Sequence, residues 1–139
     1  METSEISFTV YGRPVAKERP RVVDNHAVTP KKTKEWETTI GYTYKSVYHG
    51  FKFPREKALR VEADFYLAIP KNTSKKQREK MLSGEVRPAK RNGDVDNLTK
   101  TVLDSGNGVI FEDDAQVVEL MGRKFYGEQE RTVIRVTAL

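Results

Sequence analysis

Between Glu5 and Gly12 apolar and polar residues alternate, with Ile6, Phe8 and Val10 on one side. That period of two is the pattern of a strand with one buried face. Residues 13–30 contain Pro14, Pro20 and Pro30 and show no helical period, which predicts an extended loop. From Pro30 to the stop at His49-Gly50, with Thr29 as N-cap, Trp36, Ile40, Tyr44 and Val47 recur at three- and four-residue spacing. An amphipathic helix follows, with Trp36 as a core anchor on its apolar stripe. Leu59 to Ile69 alternates most cleanly of all and predicts a central strand, ended by Pro70. Thr73 to Leu82 reads as a short basic helix with Met81 and Leu82 near its end, and Gly84 to Gly93 as a loop. A further helix is expected from about Asp96 to Ser105, with Leu98 and Val102 inward and Gly106-Asn107-Gly108 as the break. Two last strands fall at about Ala115–Tyr126 and Arg131–Ala138, joined through Gly127. The order strand, helix, strand, helix, helix, strand, strand predicts a single α+β domain over residues 1–139. Its sheet would be mixed, with four strands packed by about three helices.

A length of 139 residues suits one domain that buries roughly two-thirds of its unfolded surface. With 37% hydrophobic and 32% charged residues and a mean hydropathy of −0.68, no window approaches the ~18 apolar residues of a membrane span. Met1 to Glu5 offers no basic region followed by an apolar run, so a cytoplasmic protein without a membrane partner is expected. The absence of cysteine excludes disulfides, thiolate zinc sites and cysteine nucleophiles. His26 and His49 are the only histidines, too few for a histidine-rich metal site, so any metal would be held by oxygen.

The net charge of +5 is segregated along the chain. Residues 13–34 carry seven Lys and Arg against two acidic residues, and residues 71–91 carry eight against two. Residues 92–130 reverse the sign, with nine Asp and Glu against three basic residues. Lys-rich faces are often simply solvated, but runs such as Lys17-Glu-Arg-Pro-Arg21 and Arg87-Pro-Ala-Lys-Arg91 combine guanidinium forks with prolines and short loops. That mixture suits phosphate and predicts a polyanionic ligand. The residues expected to meet it are Arg13, Lys17, Arg19, Arg21, Lys31, Lys32, Arg87, Lys90 and Arg91.

The acidic block holds the candidate chemistry. If residues 93–96 are extended, Asp94 and Asp96 point to one side, and Lys100 returns one helical turn later. Carboxylates held together repel unless a cation sits between them, and Mg²⁺ takes a few carboxylates with water in its remaining positions. Such a site suits phosphodiester hydrolysis, with Lys100 placed to stabilise developing charge. The same spacing also admits a plain fold role: Asp96 as a helix cap, Lys100 paired with Asp96 and Asp104, and Asp113-Asp114 as a turn. Glu62 and Asp64, on the polar side of the central strand, could reach the cluster if that face turns towards it. An EF-hand is excluded by Leu98 and Thr99, and a P-loop by the lack of a Gly-Lys-Ser/Thr ending after Gly106-Asn107-Gly108.

At these residues the sequence resembles the RusA family of Holliday junction resolvases of bacteria and their prophages. The resemblance is carried by Asp94-Val-Asp96-Asn97-Leu98-x-Lys100 and by Phe111-Glu112-Asp113-Asp114-Ala115-Gln116-Val117. The stretch Gly12-Arg-Pro14-x-x-Lys17-x-Arg19-Pro20-Arg21 is similar to the phage-type branch. The resemblance implies a small homodimeric α+β endodeoxyribonuclease that binds four-way DNA junctions and nicks two strands symmetrically. Its cofactor would be Mg²⁺, with Mn²⁺ as a substitute and no organic cofactor. On matching positions Asp94, Asp96 and Asp114 correspond to metal-binding catalytic aspartates and Lys100 to a catalytic lysine, with Asp113 as an adjacent ligand or support. Two alternatives stay open here: a nuclease acting more broadly on branched DNA, and a non-catalytic basic DNA-binding module indifferent to metal.

Overall fold

The structure is a computed structural model that describes residues 4–18, 21–28, 30–90 and 93–139. Ten elements follow in chain order: strands β1 (Glu5–Tyr11), β2 (Arg21–Val23) and β3 (His26–Val28), helix α1 (Lys31–Tyr48), strand β4 (Leu59–Ala68), helices α2 (Lys75–Leu82) and α3 (Val95–Gly106), a 3₁₀ turn (Asp114–Gln116), and strands β5 (Val117–Gly127) and β6 (Arg131–Ala138). β1, β6, β4 and β5 form one sheet in that order. β6 is antiparallel to both of its neighbours, while β4 and β5 run parallel. The fold is therefore α+β with a mixed four-stranded sheet and three helices among the described residues, as the hydrophobic pattern predicted.

Burial follows the period of two. Ile6, Phe8 and Val10 of β1 and Leu59, Val61, Ala63, Phe65 and Leu67 of β4 are all buried on the face covered by α1 and α3. α1 contributes Trp36, Ile40 and Tyr44, and α3 contributes Leu98 and Val102. The opposite face is closed by cross-strand pairs. Arg60 meets Glu119 at 2.6 Å, Asp64 meets Arg123 at 2.6 Å, and Glu62 meets Arg135 at 3.3 Å. At the end of that face Tyr66 stacks beside Phe125 at 5.3 Å, and Arg131 lies 3.8 Å over the Tyr66 ring. No helix among the described residues is long and apolar enough to cross a membrane.

Several local expectations are corrected. Residues 13–30 are not wholly an extended loop, because β2 and β3 form a hairpin. Its turn residues Asp24 and Asn25 both adopt the left-handed region, at φ 49° and 65°, as a two-residue hairpin turn requires. Thr29 lies outside the described residues, and Pro30 takes the N-cap position of α1 without a side-chain cap. Val47 is half exposed rather than in the stripe. Tyr48 closes the helix instead, stacking on Tyr44 at 5.3 Å while its hydroxyl accepts from Ser7 N and donates to Ser7 O. α2 begins at Lys75 behind a Ser74 cap whose hydroxyl accepts from Gln77 N at 3.2 Å, and Leu82 is exposed while Met81 is buried. β5 starts at Val117, because Asp114–Gln116 turn as 3₁₀.

Candidate active site

α3 begins one residue before the expected position, so the extended backbone assumed for residues 93–96 ends at Asp94. Asp94 sits in the N-cap position with extended backbone (φ −79°, ψ 145°), and its carbonyl accepts from Leu98 N at 3.0 Å. Its side chain makes no cap hydrogen bond, and neither it nor Asp96 pairs with a described cation. Both are exposed at the positive end of the helix dipole, which favours negative charge. Asp96 and Lys100 share one helix face by their four-residue spacing. Lys100 leans towards Asp104 at 3.9 Å and not towards Asp96. Beside them runs a groove of about 380 Å³, lined by Asp96, Thr99, Lys100, Leu103, Leu120 and Gly122. Lys124 of β5 donates to Gly93 O at 2.9 Å and so ties the turn to the sheet.

The second acidic pair lies at the other end of α3. Asp113 caps the 3₁₀ turn: its Oδ1 accepts from Ala115 N at 3.0 Å, and Gln116 Oε1 accepts from Asp113 N at 3.1 Å. Gln116 in turn donates to Pro54 O and Lys57 O. The Ala115 N–H, helped by the Asp114 side chain, holds the Asp113 carboxyl below the usual carboxylate range. Asp113 is thus occupied by the fold. Asp114 N donates to Asn107 Oδ1 at 2.8 Å just past the end of α3, and its carboxylate has no described cation partner. A helix of 12 residues spans ~18 Å, so Asp94 and Asp96 are separated from Asp114 by about that length. Among the described residues no group of three metal-ligating side chains comes together. Nor do Glu62 and Asp64 join either pair, because Arg135 and Arg123 hold them on the far face of the sheet.

The basic arm, residues 13–18, crosses the start of α3. Arg13, Pro14, Val15, Ala16, Glu18, Lys32 and Gly93 line a cleft of about 360 Å³ next to Asp94. Gly93 holds φ +88°, and a Cβ there would stand 2.7 Å from Ala16 Cβ. Close approach and a left-handed backbone both require glycine at that position. Lys17 is turned inward, with its ammonium 2.8 Å from Glu37 and 3.1 Å from Asp104. Lys31 and Lys32 are exposed at the start of α1, Lys31 lying 3.9 Å from Glu35. Lys90 is exposed, as is Arg87, which lies 4.0 Å over the Phe125 ring and donates to Lys124 O at 2.6 Å. Arg19 and Arg91 lie outside the described residues, and Arg21 is described only as backbone of β2. Sequence reasoning missed the contacts of Lys124 and Asn97 with their neighbours, since nothing in a one-dimensional pattern marks which carbonyl a lysine or an arm will meet.

Comparison with known proteins adds to this geometry. The family model for endodeoxyribonuclease RusA matches residues 11–137. An uncharacterised protein of Bacillus subtilis (strain 168), YqaN, is 36% identical over 137 residues, covering 94% of each chain.

Proposed function

The chain belongs to the RusA endodeoxyribonuclease family and is a nuclease acting on Holliday junctions; from that premise we propose that it works as a Mg²⁺-dependent homodimer making paired symmetric nicks. The observation that carries the reading is the exposed set Asp94, Asp96 and Lys100 on the first two turns of α3, beside the arm that bears Arg13. Among the described residues none of the three has its charge consumed by a close ion pair; the nearest partner is Asp104, 3.9 Å from Lys100.

The donor set fits Mg²⁺ in kind, since hard oxygen ligands on one or two carboxylates with water are what that ion takes. Among the described residues of one chain it does not fit in number, and a second copy would supply the remainder. β5 is an edge of the sheet and exposes Val118, Leu120 and Met121, with Val95 of α3 alongside. An apolar edge strand left open invites pairing with another chain. Two β5 edges paired antiparallel across a two-fold axis would run Asp114 of one protomer towards the Lys124 end of the other, where Asp94 and Asp96 begin α3. Each dimer would then hold two composite sites, matched to a junction of approximate two-fold symmetry.

In this reading Asp94, Asp96 and Asp114 would hold the ion, which would supply Lewis acidity towards a phosphoryl oxygen and lower the pKa of water. Asp113 steadies Asp114 through the 3₁₀ turn. Lys100 offsets the charge that develops on the phosphate oxygens. Arg13, Arg19, Arg21, Lys31, Lys32, Arg87, Lys90 and Arg91 meet the backbone phosphates and set its path, while Lys17 holds the arm in place. The activity belongs to recombination, repair or phage DNA processing in the cytoplasm of a bacterial or phage-infected cell, on the phage-type branch of the family.

The test is cleavage of an end-labelled four-way junction beside linear duplex and a fork, with Mg²⁺ or EDTA. Paired nicks confined to the junction, lost in EDTA, are expected. Asp94→Asn should lower cutting by on the order of 10²–10³-fold while junction binding persists. Binding without cutting in Mg²⁺ and in Mn²⁺ would refute the assignment.

A further inference from the structure

Charge pattern alone groups Lys17 with the residues that meet phosphate, but its surroundings assign it elsewhere. Its ammonium lies between Glu37 Oε1 of α1 at 2.8 Å and Asp104 Oδ2 of α3 at 3.1 Å. All three side chains are largely buried, at 15%, 21% and 22% exposure. Burial disfavours the charged amine, yet the two carboxylates outweigh it and raise the Lys17 pKa above that of a free lysine. Drawing Lys17 out to a phosphate would leave two carboxylates facing each other in a half-buried site, which is costly. Meanwhile the backbone N–H of Lys17 donates to Asn97 O at 2.9 Å, within the first turn of α3. Together with the contact between Ala16 and Gly93, this lays residues 16 and 17 across both flanks of Asp94 and Asp96.

The other oxygen of Asp104 faces Lys100, 3.9 Å away. One carboxylate therefore stands between two ammonium groups, close to the buried one and distant from the exposed one. We propose that Lys17 is a positioning residue: by engaging Asp104 it keeps that carboxylate from drawing Lys100 inward, and so leaves the Lys100 ammonium free to face the DNA. The inference rests on the nuclease reading, in which Lys100 offsets charge on the reacting phosphate. With Lys17 removed, Lys100 is the one cation already paired with Asp104 among the described residues, ahead of Lys34 and Lys45, which share a groove with that carboxylate, and from 3.9 Å its ammonium has to close by only about 1 Å to make a direct charged hydrogen bond.

The test compares native protein, Lys17→Met, Asp104→Asn and the double variant in two assays. In single-turnover junction cutting at saturating protein, Lys17→Met should be slower by about tenfold or more, as expected when a reacting group is displaced by about an ångström. Junction affinity and its salt slope should stay at the native values, whereas Lys32→Ala should reduce that slope by ~0.9. Adding Asp104→Asn to Lys17→Met should restore most of the rate, a recovery that a merely structural lysine would not give. In the DNA-free protein the Lys100 ε-methylene resonances should move in Lys17→Met and return towards native in the double variant. A Lys17→Met protein that cuts at the native saturated rate but binds with a reduced salt slope would overturn the proposal in favour of a phosphate contact. A double variant as slow as the single one would overturn it in favour of a structural role. If the native chain cuts no junction, the nuclease reading falls on its own, and unmoved Lys100 resonances would then refute the coupling separately. Lys17→Gln, which can still donate to Glu37, repeats each comparison should Lys17→Met melt below the assay temperature.

Discussion

Replacement of Gly122 by alanine tests whether the position of α3 on the sheet governs both stability and cutting. A Cβ at that point of β5 would stand 2.5 Å from Thr99 Oγ1 and 3.0 Å from Val95 Cγ2. Ordinary contact begins near 3.4 Å, so the first turns of α3 must lift by on the order of 1 Å. Thr99 cannot swing aside, because it is buried and its hydroxyl donates to Val95 O at 2.6 Å. Overpacking of this kind costs about 1–3 kcal/mol. Asp94 and Asp96 ride on the displaced turn, and if they hold the metal as proposed, a shift of ~1 Å in that constellation should lower turnover by about 10²-fold. Urea unfolding reads the first effect, and single-turnover cutting of a four-way junction at saturating protein reads the second. Thr99→Ala added to Gly122→Ala removes the closest opposing atom, the Thr99 hydroxyl, and should recover most of both losses, with a coupling energy of about 0.5–3 kcal/mol. A Gly122→Ala chain as stable and as fast as native, or a double variant no better than the single, would refute the reasoning.

Two further outcomes follow from the outer strand and the core. Leu120→Lys places a charge in the exposed apolar edge of β5; light scattering should show half the native mass, circular dichroism an unchanged fold, and the junction assay no cutting, whereas a persisting dimer would contradict the placement of the interface. Burial, aided by Tyr48, pushes the Tyr44 hydroxyl up to about 12 from 10.0, so it contributes stability that is complete below pH ~10 and is lost as pH rises towards ~12, on the order of 2–3 kcal/mol. Tyr44→Phe should be less stable at pH 7 for want of the bond to Phe51 O, but flatter between pH 10 and 12 than native in denaturant titrations; equal slopes would rule the tyrosine out as the cause.

The parts of the fold legible in the sequence are those where one face is buried. Leu59 to Leu67 and Leu98 with Val102 announce themselves because periodicity records which side of an element loses water. Partners across space leave no such trace. The Asp24-Asn25 turn was hidden among prolines and charges because its signal is weaker than Asn-Gly. Val47 and Tyr48 are adjacent and both apolar enough to face inward, and the stack on Tyr44 together with the Ser7 backbone decides for the tyrosine. In the acidic block, composition identified the carboxylates, but the ~18 Å between the two pairs depends on α3 being a helix with one pair at each end. Lys17 looked like its neighbours in a run of basic residues and differs only through Glu37 and Asp104, 20 and 87 positions away.

The strand order has a bearing on how the protein is made. β6, last in the chain, lies between β1, the first strand, and β4. Until residues 131–138 have left the ribosome, β1 has no neighbour in the sheet and β4 lacks one of its two. The face that receives α1 and α3 is therefore incomplete until those residues emerge. Pairing across so much of the sequence is also intrinsically slow. The basic segments 13–34 and 71–91 therefore emerge before the sheet under α3, which carries Asp94, Asp96 and Lys100, can be completed.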